Sequence, residues 1–321
     1  MFLGGWVEGY NGGVIAPPGR PRLAVFPKGF FDALVARRMT LDRWLDLAAG
    51  LGVDGVEMYP RFLDSLDPVV VRGVRKSAEA RGLAVPMMCH SPDFTLPDPA
   101  GRQSEVGRTK AVIAATAELG GEFCRVLSGQ NRPGLAPAEA HGWVVAGIQA
   151  LLPVARAAGI TLVIENHYKD GLWEYPEFAQ SPERFLAILE DVPGLKVQYD
   201  PSNAIVAGAD PYDLLDRVLP RVATMHASDR YLEGGTVEDL RRMAADPRHG
   251  YAKILKHGVI GRGLNDYDRI FARLAAAGFA GWISIEDGEA PTEAQGIANL
   301  RASAVFLRGK MAAHFRAGVR A

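Results

Sequence analysis

The sequence predicts a single-domain α/β protein of the (β/α)8 TIM-barrel class, and three observations carry that prediction. Eight short β-branched runs recur along the chain, and nearly every one leads through a polar or glycine-containing loop into a longer helical pattern. The runs are almost wholly apolar rather than alternating, as in parallel strands buried on both faces. No glycine fingerprint follows the first run, which disfavours the rival doubly wound open sheet.

The elements follow in order. Strands are expected at 22–26, 54–59, 83–89, 123–127, 161–165, 196–200, 221–226 and 282–286. Between them, stretches such as "LDRWLDLAAGLG", "GRTKAVIAATAELG", "EAHGWVVAGIQALLPVARAAG", "SPERFLAILEDV" and "DYDRIFARLAAAG" repeat apolar residues at i, i+3 and i+4. Several open on Ser, Asp or Thr and close on Gly, as helix ends do. Residues 22–310 are thus expected to form the barrel. Residues 1–21, with "APPGRPR", read as an N-terminal extension over the bottom of the barrel, and 311–321 as a C-terminal tail. An insertion, 230–265, separates strands seven and eight and carries its own helical stretch, "TVEDLRRMAADP". On the strand-exit face such a segment serves as a lid or as a subunit contact, which leaves a homo-oligomer open.

The 321 residues are 48% hydrophobic and 23% charged, with a net charge of −1. That composition builds a large core and lacks the basic excess of a nucleic-acid binder. No apolar window is long enough to span a bilayer, and "MFLGGWVEGYNGG" lacks a basic region followed by an apolar run. A cytoplasmic protein with no membrane partner is therefore expected. Cys89 and Cys124 fall in apolar segments and read as buried, reduced thiols. There is no Walker sequence and no G-x-S-x-G elbow, and "GRG" at 261–263, with no strand before it, does not read as a nucleotide loop.

The strand ends carry the chemistry. Glu165 ends strand five in "LVIENHY", Asp200 strand six in "VQYDPSN", His226 strand seven in "TMHASD" and Glu286 strand eight in "ISIEDGE". In a closed barrel these ends converge on one cavity. Singly, each has an ordinary structural use: an acid caps a helix, and a buried histidine makes a core hydrogen bond. Together, three carboxylates in one cavity repel each other and raise their pKa values, a conflict that a divalent cation removes. Two glutamates, an aspartate and a histidine form a hard O,O,O,N set suited to one Mn²⁺, Mg²⁺, Co²⁺ or Zn²⁺ ion. Lys28, Glu57, His90, Asn203, Asp229 and His257 fall on the same face as candidates for substrate contact. Glu57 reads equally as a buried acid tying loops together. Asp229 either supports the site or pairs with Arg230, and Asn166 and His167 orient Glu165. Trp173 and Tyr175 either wall the pocket or pack over the barrel rim. His141, His249 and His314 read as surface residues.

Through "GVEMY", "VIENH", "YDPSN", "HASD" and "GRGLNDYDRIFARLAAAGFAGWISIED", residues 22–310 resemble the xylose-isomerase-like barrels, also called the sugar phosphate isomerase/epimerase or AP-endonuclease-2 family. The resemblance implies one divalent metal ion held by Glu165, Asp200, His226 and Glu286, and a small-molecule sugar or sugar derivative as partner. It implies an isomerase or epimerase of a ketose or sugar phosphate. In that chemistry the metal stabilises an enediolate while Glu165 and Glu286, on opposite sides of the sugar, move the proton. Expulsion of a β-substituent instead gives a lyase or dehydratase of keto-sugars or 3-keto-glycosides. A non-catalytic sugar-binding barrel and an AP endonuclease are the remaining readings. Many epimerases of the family carry a histidine three residues after the aspartate, where this chain has Asn203. Repair members need additional His and Glu ligands, and few of the seven histidines here fall at strand ends.

Overall fold

A computed structural model describes residues 19–315, apart from 244, 247–249 and 289. The expected N-terminal extension up to residue 18, the end of the tail and His249 lie outside the described residues.

Eight parallel strands form one sheet that curls into a barrel. They are β1 (Arg22–Val25), β2 (Gly55–Val56), β3 (Met87–Cys89), β4 (Phe123–Val126), β5 (Thr161–Glu165), β6 (Lys196–Tyr199), β7 (Val222–Ala227) and, last in the chain, β10 (Trp282–Ile285). Between β7 and β10 stands an antiparallel hairpin, β8 (Arg230–Leu232) and β9 (Leu255–His257). The spatial order is β2-β1-β10-β7-β6-β5-β4-β3, and parallel bridges from Gly55 to Ala84 and from Met58 to Met88 complete the ring.

That closure is thinner than the expected runs 54–59 and 83–89 imply. Pro86 interrupts the second run, and proline has no N–H to give a ladder. Pairing resumes beyond it, where Met58 donates to the Met87 carbonyl at 3.0 Å and Cys89 donates to Met58 at 2.7 Å. Proline also divides the stretch expected to be helical after β4. It forms helices Pro137–Gln149 and Leu152–Ala157, with Pro153 in the first turn of the second. Elsewhere the caps fall where the sequence places them: Asp67, Asp98, Ser181, Asp200, Asp210 and Asp266 each accept a first-turn N–H. In the insertion, Thr236 and Asp239 form a reciprocal capping box on the short helix Val237–Arg242.

Both cysteines are free and buried. Among the described residues no helix is long and apolar enough to cross a membrane. Successive side chains on a strand face opposite ways, so Gln198 with Asp200, Thr224 with His226 and Ser284 with Glu286 share a face. All six are buried, which sets the three ligand-type residues above a polar layer at the mouth of the barrel.

Two glycines test this packing. A Cβ on Gly281, which precedes β10, would overlap the Ala223 carbonyl, whereas one on helical Gly107 would meet nothing. Gly281→Ala is expected to cost about 1–3 kcal/mol and Gly107→Ala to gain about 0.5–1 kcal/mol. Urea melts of the two variants check both signs.

Candidate active site

The four strand-end residues meet. Glu165, Asp200, His226 and Glu286 each offer a ligand atom, and these atoms all lie within 4.8 Å of one another. Their exposures are 1, 0, 1 and 5%, so bulk water does not reach them.

Each is aimed by neighbours. Glu165 takes Arg125 Nη1 at 3.2 Å on Oε2, and on Oε1 it takes Asn203 Nδ2 at 3.2 Å. Asp200 caps helix Pro201–Val206. Its Oδ1 accepts from Asn203 N–H and from Ser228 Oγ, both at 2.8 Å, while Oδ2 is buried with no partner among the described residues. His226 turns Nδ1 toward Glu165 (3.2 Å) and Glu286 (3.8 Å), and its Nε2 lies 2.8 Å from Glu57 Oε2. Lys28 Nζ stands 3.4 Å from Glu286 Oε1. Asn166 does not touch Glu165. Its amide donates to the Asp200 carbonyl at 2.7 Å and accepts the Asp200 N–H at 2.9 Å, fastening the ends of β5 and β6.

The charges follow from this arrangement. Burial, with Glu286 and Glu165 nearby, pushes the Asp200 carboxyl up to about 7. Burial acts against charge on His226, but Glu57, Glu165 and Glu286 carry its pKa well above the ordinary imidazole value. Burial would also raise Glu286, yet Lys28, His226 and Arg125 hold it below the usual carboxylate range. Asp200 Oδ2, like Glu57 Oε1 behind His226, is thus left without a positive partner among the described residues.

The other candidates divide. Asn203, Lys28 and Glu57 touch the quartet. Glu57 is buried, and its Oε2 lies against His226 Nε2 and also receives Cys89 Sγ–H at 3.4 Å, while its Oε1 has no partner among the described residues. Asp229 is engaged by backbone. Its carboxylate accepts N–H groups from Arg230 (3.0 Å), Gly261 (2.9 Å), Gly263 (2.9 Å) and Asn265 (3.2 Å), and makes no ion pair with the Arg230 guanidinium. The "GRG" glycines serve this latch, because a Cβ on Gly263 would overlap Asp229 and one on Gly261 would strike Phe306. His90 stands apart from the quartet, its buried Nε2 without a partner among the described residues; burial and then Arg125 and Arg108 bring it down to about 3. His257 sits on β9 in the insertion. Trp173 and Tyr175 are partly exposed on the loop after β5. On the surface, His141 lies 2.6 Å from Asp191 and His314 lies 2.8 Å from Asp268. Sequence reasoning passed over Arg125, although an arginine inside the apolar run "FCRVL" is the signal that marks it.

His167, beside Glu165 in sequence, faces Glu177, with Nδ1 3.3 Å from Oε2. Burial pushes the Glu177 carboxyl up to about 8 and holds His167 well below its ordinary value, so both are neutral at pH 7. An acid whose folded pKa is raised binds more protons folded than unfolded, so its stabilising contribution is complete below its unfolded value and fades as pH climbs toward about 8. Glu177→Gln keeps an acceptor for Ser128 but cannot ionise. Its stability relative to wild type is expected to rise steadily from pH 5 to pH 8 in urea melts, and parallel profiles would refute this account.

Residues 45–308 match the family described as xylose isomerase-like TIM barrel. An inosose dehydratase of Geobacillus thermodenitrificans is 24% identical over 153 residues, which are 46% of this chain and 47% of that protein. The chain thus spans about half the length of the curated relatives it matches. A xylose isomerase domain protein from Planctomyces limnophilus superposes with a TM-score of 0.70 at 18% identity, over 92% of this chain and 99% of that one. An L-ribulose 3-epimerase does so at 0.69 and 17% identity, over 92% and 96%. With the barrel, its strand-end quartet and this match in agreement, the chain belongs to the xylose isomerase-like TIM barrel family.

Proposed function

We propose that this protein is a divalent-metal-dependent enzyme that moves a proton at the carbon beside the carbonyl of a ketose or related sugar derivative, with isomerisation or epimerisation as the result. The observation that carries the reading is the buried quartet, whose ligand atoms lie within 4.8 Å of one another and whose Asp200 Oδ2 has no partner. Three carboxylates and an imidazole form a hard donor set, and Glu165, Asp200, His226 and Glu286 would hold the ion. When bound, such an ion supplies Lewis-acid polarisation of a carbonyl, which acidifies the neighbouring C–H.

The side chains do the rest. Glu286 is kept ionised by Lys28 and His226 and is fit to accept a proton. Glu165, fixed by Arg125 and Asn203, is the second carboxyl of the pair, and in its protonated form it would return a proton to the sugar. Lys28, His90, Asn203 and His257 are the groups proposed to contact the substrate, with Glu57 holding the His226 ring in register. Loss of a substituent β to the carbonyl needs the same proton acceptor. The relatives named inosose dehydratases support that second reading.

The test is elemental analysis of the purified protein beside a Glu165→Gln, Asp200→Asn double variant. About one equivalent of divalent metal is expected in the wild type and none in the variant. Glu57→Gln should weaken metal binding by about 10–100-fold, as loss of an outer partner does. Ketoses incubated with the enzyme in heavy water should then take up deuterium beside the carbonyl, and a growing enone absorbance would mark dehydration instead. A wild type that neither contains nor binds metal sinks the proposal and leaves a sugar-binding barrel.

A further inference from the structure

The hairpin at the root of the insertion holds a second cluster. The Arg230 side chain is fully buried, yet Nε, Nη1 and Nη2 have no hydrogen-bond acceptor among the described residues. Tyr251 and Tyr168 cover the guanidinium, with ring centroids 4.2 Å and 5.0 Å from Cζ. Ring faces attract the cation but leave the in-plane N–H edge of the fork unmatched. The adjacent carboxylate, Asp229, is occupied by backbone N–H groups. Directly across the hairpin register from Arg230 is His257, and both of its ring nitrogens are buried without partners among the described residues. Lys28 lies near the same ring, Nζ 5.7 Å from the Tyr168 centroid, and joins this cluster to the quartet through Glu286.

Three cationic or N–H-bearing groups thus converge, and among the described residues no anion hydrogen-bonds to the arginine or the histidine. A buried arginine is ordinarily paired, because an uncompensated buried charge is strongly unfavourable. A guanidinium edge beside an imidazole and an ammonium matches an oxyanion. We infer that the root of the insertion is an oxyanion subsite, where Arg230, with His257 and Lys28, binds a carboxylate or phosphate carried by the substrate at a distance from its reacting carbon. The inference rests on the proposed reading of the quartet as the reacting centre, and it narrows the substrate to an acidic sugar or a sugar phosphate. The insertion thereby acquires a role, since its hairpin strands bring Arg230 and His257 together.

The test is isothermal titration of the full-length protein, its metal content measured alongside, with gluconate, sorbitol 6-phosphate and sorbitol. The wild type is expected to bind at least one anionic probe about tenfold or more tighter than sorbitol, and which of the two prevails tells carboxylate from phosphate. In Arg230→Met that preference should vanish while sorbitol binding and metal content stay as in wild type; His257→Gln should lose part of it. Because Arg230→Met removes an unpaired buried charge, the variant should melt no lower than wild type without ligand. Equal binding of charged and neutral probes, a preference that survives Arg230→Met, or a variant that melts far below wild type or fails to fold each overturns the subsite. A wild type without metal fails the quartet reading alone, since the comparison between Arg230→Met and wild type is read in the same titrations.

Discussion

Three carboxylates gathered at the mouth of a barrel, sealed from water, can be held there only if positive charge is supplied from every side. That requirement organises the centre of this protein. Arg125 rises from β4 to meet Glu165, Lys28 leans from the loop after β1 to Glu286, and His226 stands among them with Glu57 behind it. Each cation comes from a different strand or loop, so the balance exists only in the closed barrel. Among the four strand-end residues, Asp200 keeps a buried oxygen without a partner among the described residues, where a metal ion would complete the balance. In low-dielectric surroundings an incomplete set of this kind is costly, which is why a bound ion would contribute to stability as well as to chemistry.

Around the quartet, short hydrogen bonds fix the strand ends. Asn166 fastens β5 to the start of the helix after β6. Ser228 and Asn203 both hold Asp200 Oδ1, so β6 and β7 are locked at the level of the quartet. Beneath them Gln198, Thr224 and Ser284 form a buried polar layer whose side-chain polar atoms have no partner among the described residues.

The quartet was legible in the sequence because each member follows an apolar run by the same short offset, and a parallel barrel converts that offset into a shared level. The helices were legible from caps and prolines. What could not be read were pairings set by the closed ring. Glu57 gave no hint that it would reach His226, far away in the chain, and Arg125 was hidden inside a strand because charge on an inward face looks, in one dimension, like an exception. Asp229 next to Arg230 suggested an ion pair, and the structure separates them. The acid bonds backbone, and the guanidinium turns to the tyrosines, since the positions of the two side chains depend on a turn whose glycines interpret it only in three dimensions. The thin β2–β3 closure had a visible cause in Pro86, but its consequence depends on where the neighbouring strand falls.

The latch at Asp229 has a broader consequence. One carboxylate receives N–H groups from the first residue of the insertion and from its last turn, so both ends of the segment are tied at a single point on the barrel rim. What lies between those ends also rests on the barrel, through the Tyr251 ring against Tyr168 and the Ile260 N–H on Ser303 Oγ. The entropy of closing a loop grows only slowly with its length, so the stretch that joins β8 to β9 can be lengthened at little cost to the barrel. The latch therefore lets the cover over the centre vary in length while its two ends stay fixed, provided that one aspartate and its two glycines remain.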